Sequence, residues 1–118
     1  MHDVDAAVAF YTEHLGFDVV MHPAPTFAML SHGGLRLALS APSGKGGGGQ
    51  TLADGRQPEP GGWNRFQLMV EDLSGVIERL KAAGVTFRSD LIEGVGGDQV
   101  IIDDPSGNPV ELFAPKPR

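Results

Sequence analysis

The chain has 118 residues, nine Lys and Arg against 15 Asp and Glu, a formal net charge of −6 and no cysteine. That length argues for one domain. The acidic balance, with the basic residues scattered and no cluster among them, argues against nucleic acid as a partner, and the lack of Cys excludes disulfides, thiolate nucleophiles and cysteine-held metals. No apolar stretch is long enough to span a bilayer, and the start, Met1-His2-Asp3-Val4-Asp5, is acidic where a secretory signal would be basic. A cytoplasmic protein with no membrane partner is expected.

Asp3 or Asp5 is placed to cap a helix reaching about His14, with Ala7, Val8 and Tyr11 at helical spacing and Gly16 suited to the left-handed stop. Residues 17–21 read as a strand, His22-Pro23-Ala24-Pro25 as a break, and 26–31 and 35–40 as a hairpin around His32-Gly33-Gly34. Residues 41–62 hold eight of the 17 glycines and three of the nine prolines, which predicts a long loop. Within it Ser43-Gly44-Lys45-Gly46 lacks the phosphate-loop spacing, because Lys45 is followed by Gly46 and no helix pattern comes next. A flap or a module linker fits better. Residues 63–70 resume as a strand, and Asp72 caps a second helix with Leu73, Val76, Ile77 and Leu80 on one stripe, ended by Gly84. Strands follow over 85–88, 99–103 and 110–114, the last two joined by the turn-rich Asp104-Pro105-Ser106-Gly107-Asn108-Pro109.

The order helix, strand, strand, strand occurs twice. Asp3 falls on Asp72 at an offset of 69, and Ala41-Pro42 on Ala114-Pro115 at an offset of 73. The second copy has a strand before its helix, whereas the first has only Met1 and His2 there. The duplication therefore predicts an absent first strand. Met1 stands where the second copy has Val70, and a valine codon read as an initiator would produce this. A longer natural chain is expected, and an upstream reading frame without an apolar strand would contradict it.

The groups Asp3…Ala6…Phe10-Tyr11…Leu15-Gly16-Phe17, Val70-Glu71-Asp72-Leu73 and above all Asp104 to Phe113 (DPSGNPVELF) resemble the vicinal oxygen chelate superfamily of glyoxalases, bleomycin-resistance proteins and extradiol dioxygenases. The resemblance covers nearly the whole chain. It implies an α+β fold in which two paired βαβββ modules form a curved mixed sheet around a cup, here with the first strand of module one missing. Residues 1–118 would form one such domain, with module one about 1–42, a linker about 43–62 and module two about 63–115. It also implies a homodimer.

The resemblance further implies metal ligands (His, Glu or Gln) on the first and last strands of each module. In this chain the first position is absent, the second is Ala38, the third is Arg65 and the fourth is Glu111. Ala38 offers no ligand atom, and a guanidinium stays protonated and cannot donate a lone pair to a metal. Only Glu111 matches. It reads as the ion-pair partner of Arg65, with metal ligand and general base as the other readings. Period-two alternation puts Arg65, Gln67 and Met69 on one face of their strand and Phe66, Leu68 and Val70 on the other. Arg65 offers a fork suited to carboxylate or phosphate, Gln67 could orient a polar ligand, and Trp63 could stack on one. His2, His14, His22 and His32 make no metal spacing, though His22 could approach the cup.

Arg65, Gln67, Met69, Trp63, Glu111 and Phe113 are thus the candidate ligand-binding residues. A small-molecule binding protein with no cofactor is expected. The alternative is a lyase, isomerase or dioxygenase dependent on a divalent metal (Zn, Fe, Mn or Ni) held by Glu111 and by ligands not evident in the chain.

Overall fold

Asp3 caps helix α1 (Val4–Leu15), its carboxylate accepting from the amide of Ala6 at 3.0 Å, and Gly16 ends the helix in the left-handed conformation at φ 74°. Asp5 is left to pair with His22, 3.0 Å away. This computed structural model describes residues 1–42 and 47–116. The loop reading of Ser43 to Gly46 therefore lies outside the described residues, while Gly47–Gly49 form a single 3-10 turn. The chain divides into two compact units, residues 1–60 and 61–118.

In the first unit α1 is followed by a three-stranded antiparallel sheet in the order β1 (Asp18–Ala24), β2 (Phe27–His32), β3 (Leu35–Ser40). Val4, Ala7, Tyr11 and Leu15 on the helix and Ala28, Leu30 and Leu39 on the strands are buried. The Tyr11 ring meets Phe10 and Phe17 edge-on, with centroids 5.1 and 5.3 Å away. The expected break at His22-Pro23-Ala24 is instead the end of β1. Pro23 is tolerated because β1 is an edge strand and its register shifts between Met21 and Ala24, so no ladder bond has to come from the missing N–H.

The second unit begins with β4 (Gln67–Met69), then α2 (Leu73–Ala82), β5 (Thr86–Phe87), β6 (Ile92–Glu93), β7 (Gly97–Asp103) and β8 (Pro109–Pro115). Its sheet runs β4-β8-β7-β5, with β6 also paired to β7, and only the β4–β8 pair is parallel. This is the expected βαβββ unit with a small extra strand, β6, that two residues of sequence could not announce. The Asp72 carboxylate caps α2 through the amide of Gly75 at 3.1 Å. Leu73 and Leu80 from the helix, Leu68, Val100, Ile102, Val110 and Leu112 from the sheet make the core of this unit.

Strand β4 is shorter than the expected 63–70. Its register sets Gln67 against Glu111, so Arg65 would fall opposite Pro109, which has no N–H to continue the ladder. The two units also share a detail that supports duplication. The Met1 amine donates to the Ser40 carbonyl at 2.8 Å, and the Val70 amide donates to the Phe113 carbonyl at 2.9 Å. Met1 and Val70, and Ser40 and Phe113, are the equivalent pairs of the two sequence registers.

Candidate functional site

Strand β8 lies between β4 and β7, and its alternation separates two chemistries. Val110 and Leu112 point into the core with Leu68, Val100 and Ile102, all buried. Glu111 and Phe113 face the other way, and cross-strand register brings Gln67 and Met69 beside them from β4 and Ile101 and Gln99 from β7. The second face is therefore polar at Gln67, Glu111 and Gln99, and apolar at Met69, Phe113 and the buried Ile101.

Glu111 is the hub. Only 8% of its surface is exposed. Its Oε1 accepts from Arg65 Nε at 3.0 Å, lies 3.0 Å from Arg65 Nη2, and accepts from Gln99 Nε2 at 3.3 Å. Its Oε2 accepts from Gln67 Nε2. The Arg65 fork that the sequence offered to an anionic ligand is thus engaged by the protein's own carboxylate. Arg65 Nη1 also donates to the Trp63 carbonyl at 3.1 Å, which fixes the chain just ahead of β4.

Trp63 is held from its other side. The Arg88 guanidinium lies over its indole ring, 4.6 Å from the centroid. Arg88 also donates to Asp103 Oδ1 at 2.8 Å, to the Gly107 carbonyl at 2.9 Å and to the Gly62 carbonyl. The motif turn completes the clamp. Asp104 Oδ1 accepts from the amides of Ser106 and Asn108 at 2.9 and 3.0 Å, and Asn108 Oδ1 accepts from the amide of Gly61 at 2.8 Å. The turn so shaped holds residues 61–63 in place, while Trp63 as a residue stays 66% exposed.

Among the six candidate residues, the structure joins Arg65, Gln67 and Glu111 by hydrogen bonds and sets Met69 beside Phe113. It places Trp63 on the lead-in to β4, tied to the others through Arg65. Two residues escaped the sequence reading. Gln99 became visible only once the β7–β8 register was known, because its neighbour in space, Glu111, is twelve positions away. Arg88 read as the end of a strand, with nothing to mark its four contacts. A third determinant is Gly97, where a Cβ would come within 2.4 Å of the Ala114 carbonyl oxygen and 2.6 Å of the Phe113 ring. Beyond Met69 an open cavity of about 450 Å³ is lined by Met69, Val70, Glu71 and Pro115.

A divalent metal does not fit the surroundings of Glu111. Among the described residues no three His, Cys, Asp or Glu side chains gather to hold one. The lone pairs of Glu111 already take donors from three side chains, one of them a cation, whose charge would oppose a second cation at the same oxygen. His22, which could have approached such a site, is engaged with Asp5 in the first unit.

The profile of the Glyoxalase/Bleomycin resistance protein/Dioxygenase superfamily matches residues 1–112. The chain belongs to this superfamily. Among solved members, it is 26% identical to the lactoylglutathione lyase of Agrobacterium tumefaciens, covering 96% of this chain and 86% of that one at a TM-score of 0.73. It is 28% identical to a superfamily protein of Sphaerobacter thermophilus, covering 97% and 90% at a TM-score of 0.73. An antibiotic-binding protein of Streptomyces, 24% identical over 96% and 87% at a TM-score of 0.68, shares the fold. No curated protein matches the sequence. Among the described residues of this superfamily member, no helix is long and apolar enough to cross a membrane.

Proposed function

We propose that this glyoxalase-superfamily protein binds a small organic molecule on the Gln67–Met69–Glu111–Phe113 face, and that it does so without a metal on Glu111. The observation that carries this reading is the saturated carboxylate. Glu111 holds Arg65, Gln67 and Gln99 in fixed geometry beside the exposed Met69 and the half-buried Phe113. Binding needs an apolar surface with a few placed polar groups, and this face supplies both. Trp63, with the Arg88 guanidinium over its ring, is an exposed residue that offers a surface for stacking at the entry to β4.

The experiment is a ligand-observed NMR screen of small aromatic compounds against the natural protein and its Met69→Ala variant. Hits that weaken several-fold in the variant support the site. A screen without hits contradicts it. A cytoplasmic homodimer belongs to the same proposal, supported by the exposed apolar residues Val19, Val20 and Met21 on edge strand β1; light scattering at twice the chain mass would agree with it.

A metal-dependent lyase, isomerase or dioxygenase is the second reading. It is favoured by the position of Glu111 on the last strand of its unit and by the 26% identity to a lactoylglutathione lyase. It requires Glu111 to leave Arg65 and to meet donors that the cluster itself lacks.

A further inference from the structure

The hydrogen bonds around Glu111 have a second effect, on the two glutamines that flank it. An ionised carboxylate can only accept. Gln67 and Gln99 must therefore turn their amide nitrogens toward Glu111, as they do. That orientation directs each amide carbonyl away from Glu111, and each nitrogen keeps one further hydrogen. Neither side chain has another hydrogen bond among the described residues. The face thus presents two carbonyl acceptors and two N–H donors, one set on each side of β8. Its one positive charge, on Arg65, is matched by the one negative charge on Glu111, and three Arg65 nitrogens are already engaged.

We infer that Glu111 is a positioning residue and that, with Gln99 as a further ligand-contacting residue, it selects an uncharged ligand with an amide-like N–H/C=O edge, such as a carboxamide, lactam or imide, carried on a flat apolar body. The inference rests on the binding reading above and adds the ligand class. A carboxamide edge donates to one glutamine carbonyl and accepts from the remaining N–H of the same or the other glutamine. A carboxylate meets the two carbonyl oxygens, which repel it, and an arginine whose Nε–Nη2 edge is occupied. Met69 and Phe113, paired across β4 and β8, lie next to Gln67 and Gln99 in register and would cover the apolar body.

The test uses the matched probes benzamide and benzoate, within a wider set of aromatic fragments, titrated into isotopically labelled full-length protein at neutral pH. The side-chain amide signals of Gln67 and Gln99 are the readout. Benzamide is expected to move both signals at a concentration about tenfold lower than benzoate requires. In Glu111→Gln the glutamines lose their fixed orientation and Arg65 regains its free charge, so the preference is expected to collapse or turn toward benzoate. A merely structural role for Glu111 would weaken both probes alike and leave the order unchanged. Gln99→Met, with an otherwise unchanged backbone spectrum, is expected to weaken benzamide several-fold and leave benzoate where it was. Benzoate binding as well as or better than benzamide to the natural protein overturns the ligand class and leaves the binding site standing. Silence of both glutamine signals toward every fragment overturns the site and the ligand class together.

Discussion

At Glu111 one carboxylate organises three side chains from three strands or lead-ins, and the strength of that organisation can be measured. The Arg65 and Glu111 side chains are 27% and 11% exposed, so their coupling lies between that of a surface pair and that of a fully buried one. A double-mutant cycle of Arg65→Ala and Glu111→Ala in urea denaturation is expected to give about 1–2 kcal/mol of interaction energy. A value near zero would mean that the pair is held by its surroundings and contributes nothing. Gly97→Ala tests the contact beneath Phe113. The new methyl would strike the Ala114 carbonyl and the Phe113 ring, and the variant is expected to lose about 1–3 kcal/mol in the same assay. At this scale the Arg65–Glu111 pairing was legible through the superfamily resemblance, which implied that both line one cup, where opposite charges leave few partners. The sequence hid Gln99 and Arg88, because each acts through contacts that exist only after the register of β7 on β8 and the course of the 104–108 turn are set.

Among the elements, those with strong local signals match the sequence best. Helix α1 starts at Asp3, one of the two aspartates expected, α2 starts at Asp72, and they end ahead of Gly16 and Gly84, because capping is decided within one turn of chain. Strand β3 spans Leu35–Ser40 as read. Strands whose limits depend on a partner were misplaced: β1 runs through Pro23 because it is an edge, and β4 starts late because Pro109 ends its ladder. The DPSGNP turn belongs here too. Asp104 is 4% exposed, and its carboxylate accepts from the backbone amides of Ser106 and Asn108 and from the Asn108 side chain. Asp104→Ala is expected to destabilise the protein by about 2 kcal/mol. Hydrogen exchange should show faster amides at residues 61–63 than elsewhere in the second unit, since Asn108 and Arg88 would lose the turn that positions them. Unchanged protection there would detach the motif from the lead-in to β4.

For the molecule as a whole, the repeated order of elements and the DPSGNPVELF run made the superfamily legible, and the match over residues 1–112 establishes it. The ligand was not legible, because the superfamily places different chemistries on one fold and the difference lies in single side chains at shared positions. In this chain the side chain paired with Glu111 is Arg65, just ahead of β4. The account therefore turns on whether Glu111 serves a guanidinium or a metal ion. Elemental mass spectrometry on tag-free protein purified without chelators decides between them. The prediction is Zn, Fe, Mn and Ni well below one equivalent per chain, equally low in Glu111→Ala. A near-stoichiometric metal that disappears in Glu111→Ala would contradict it.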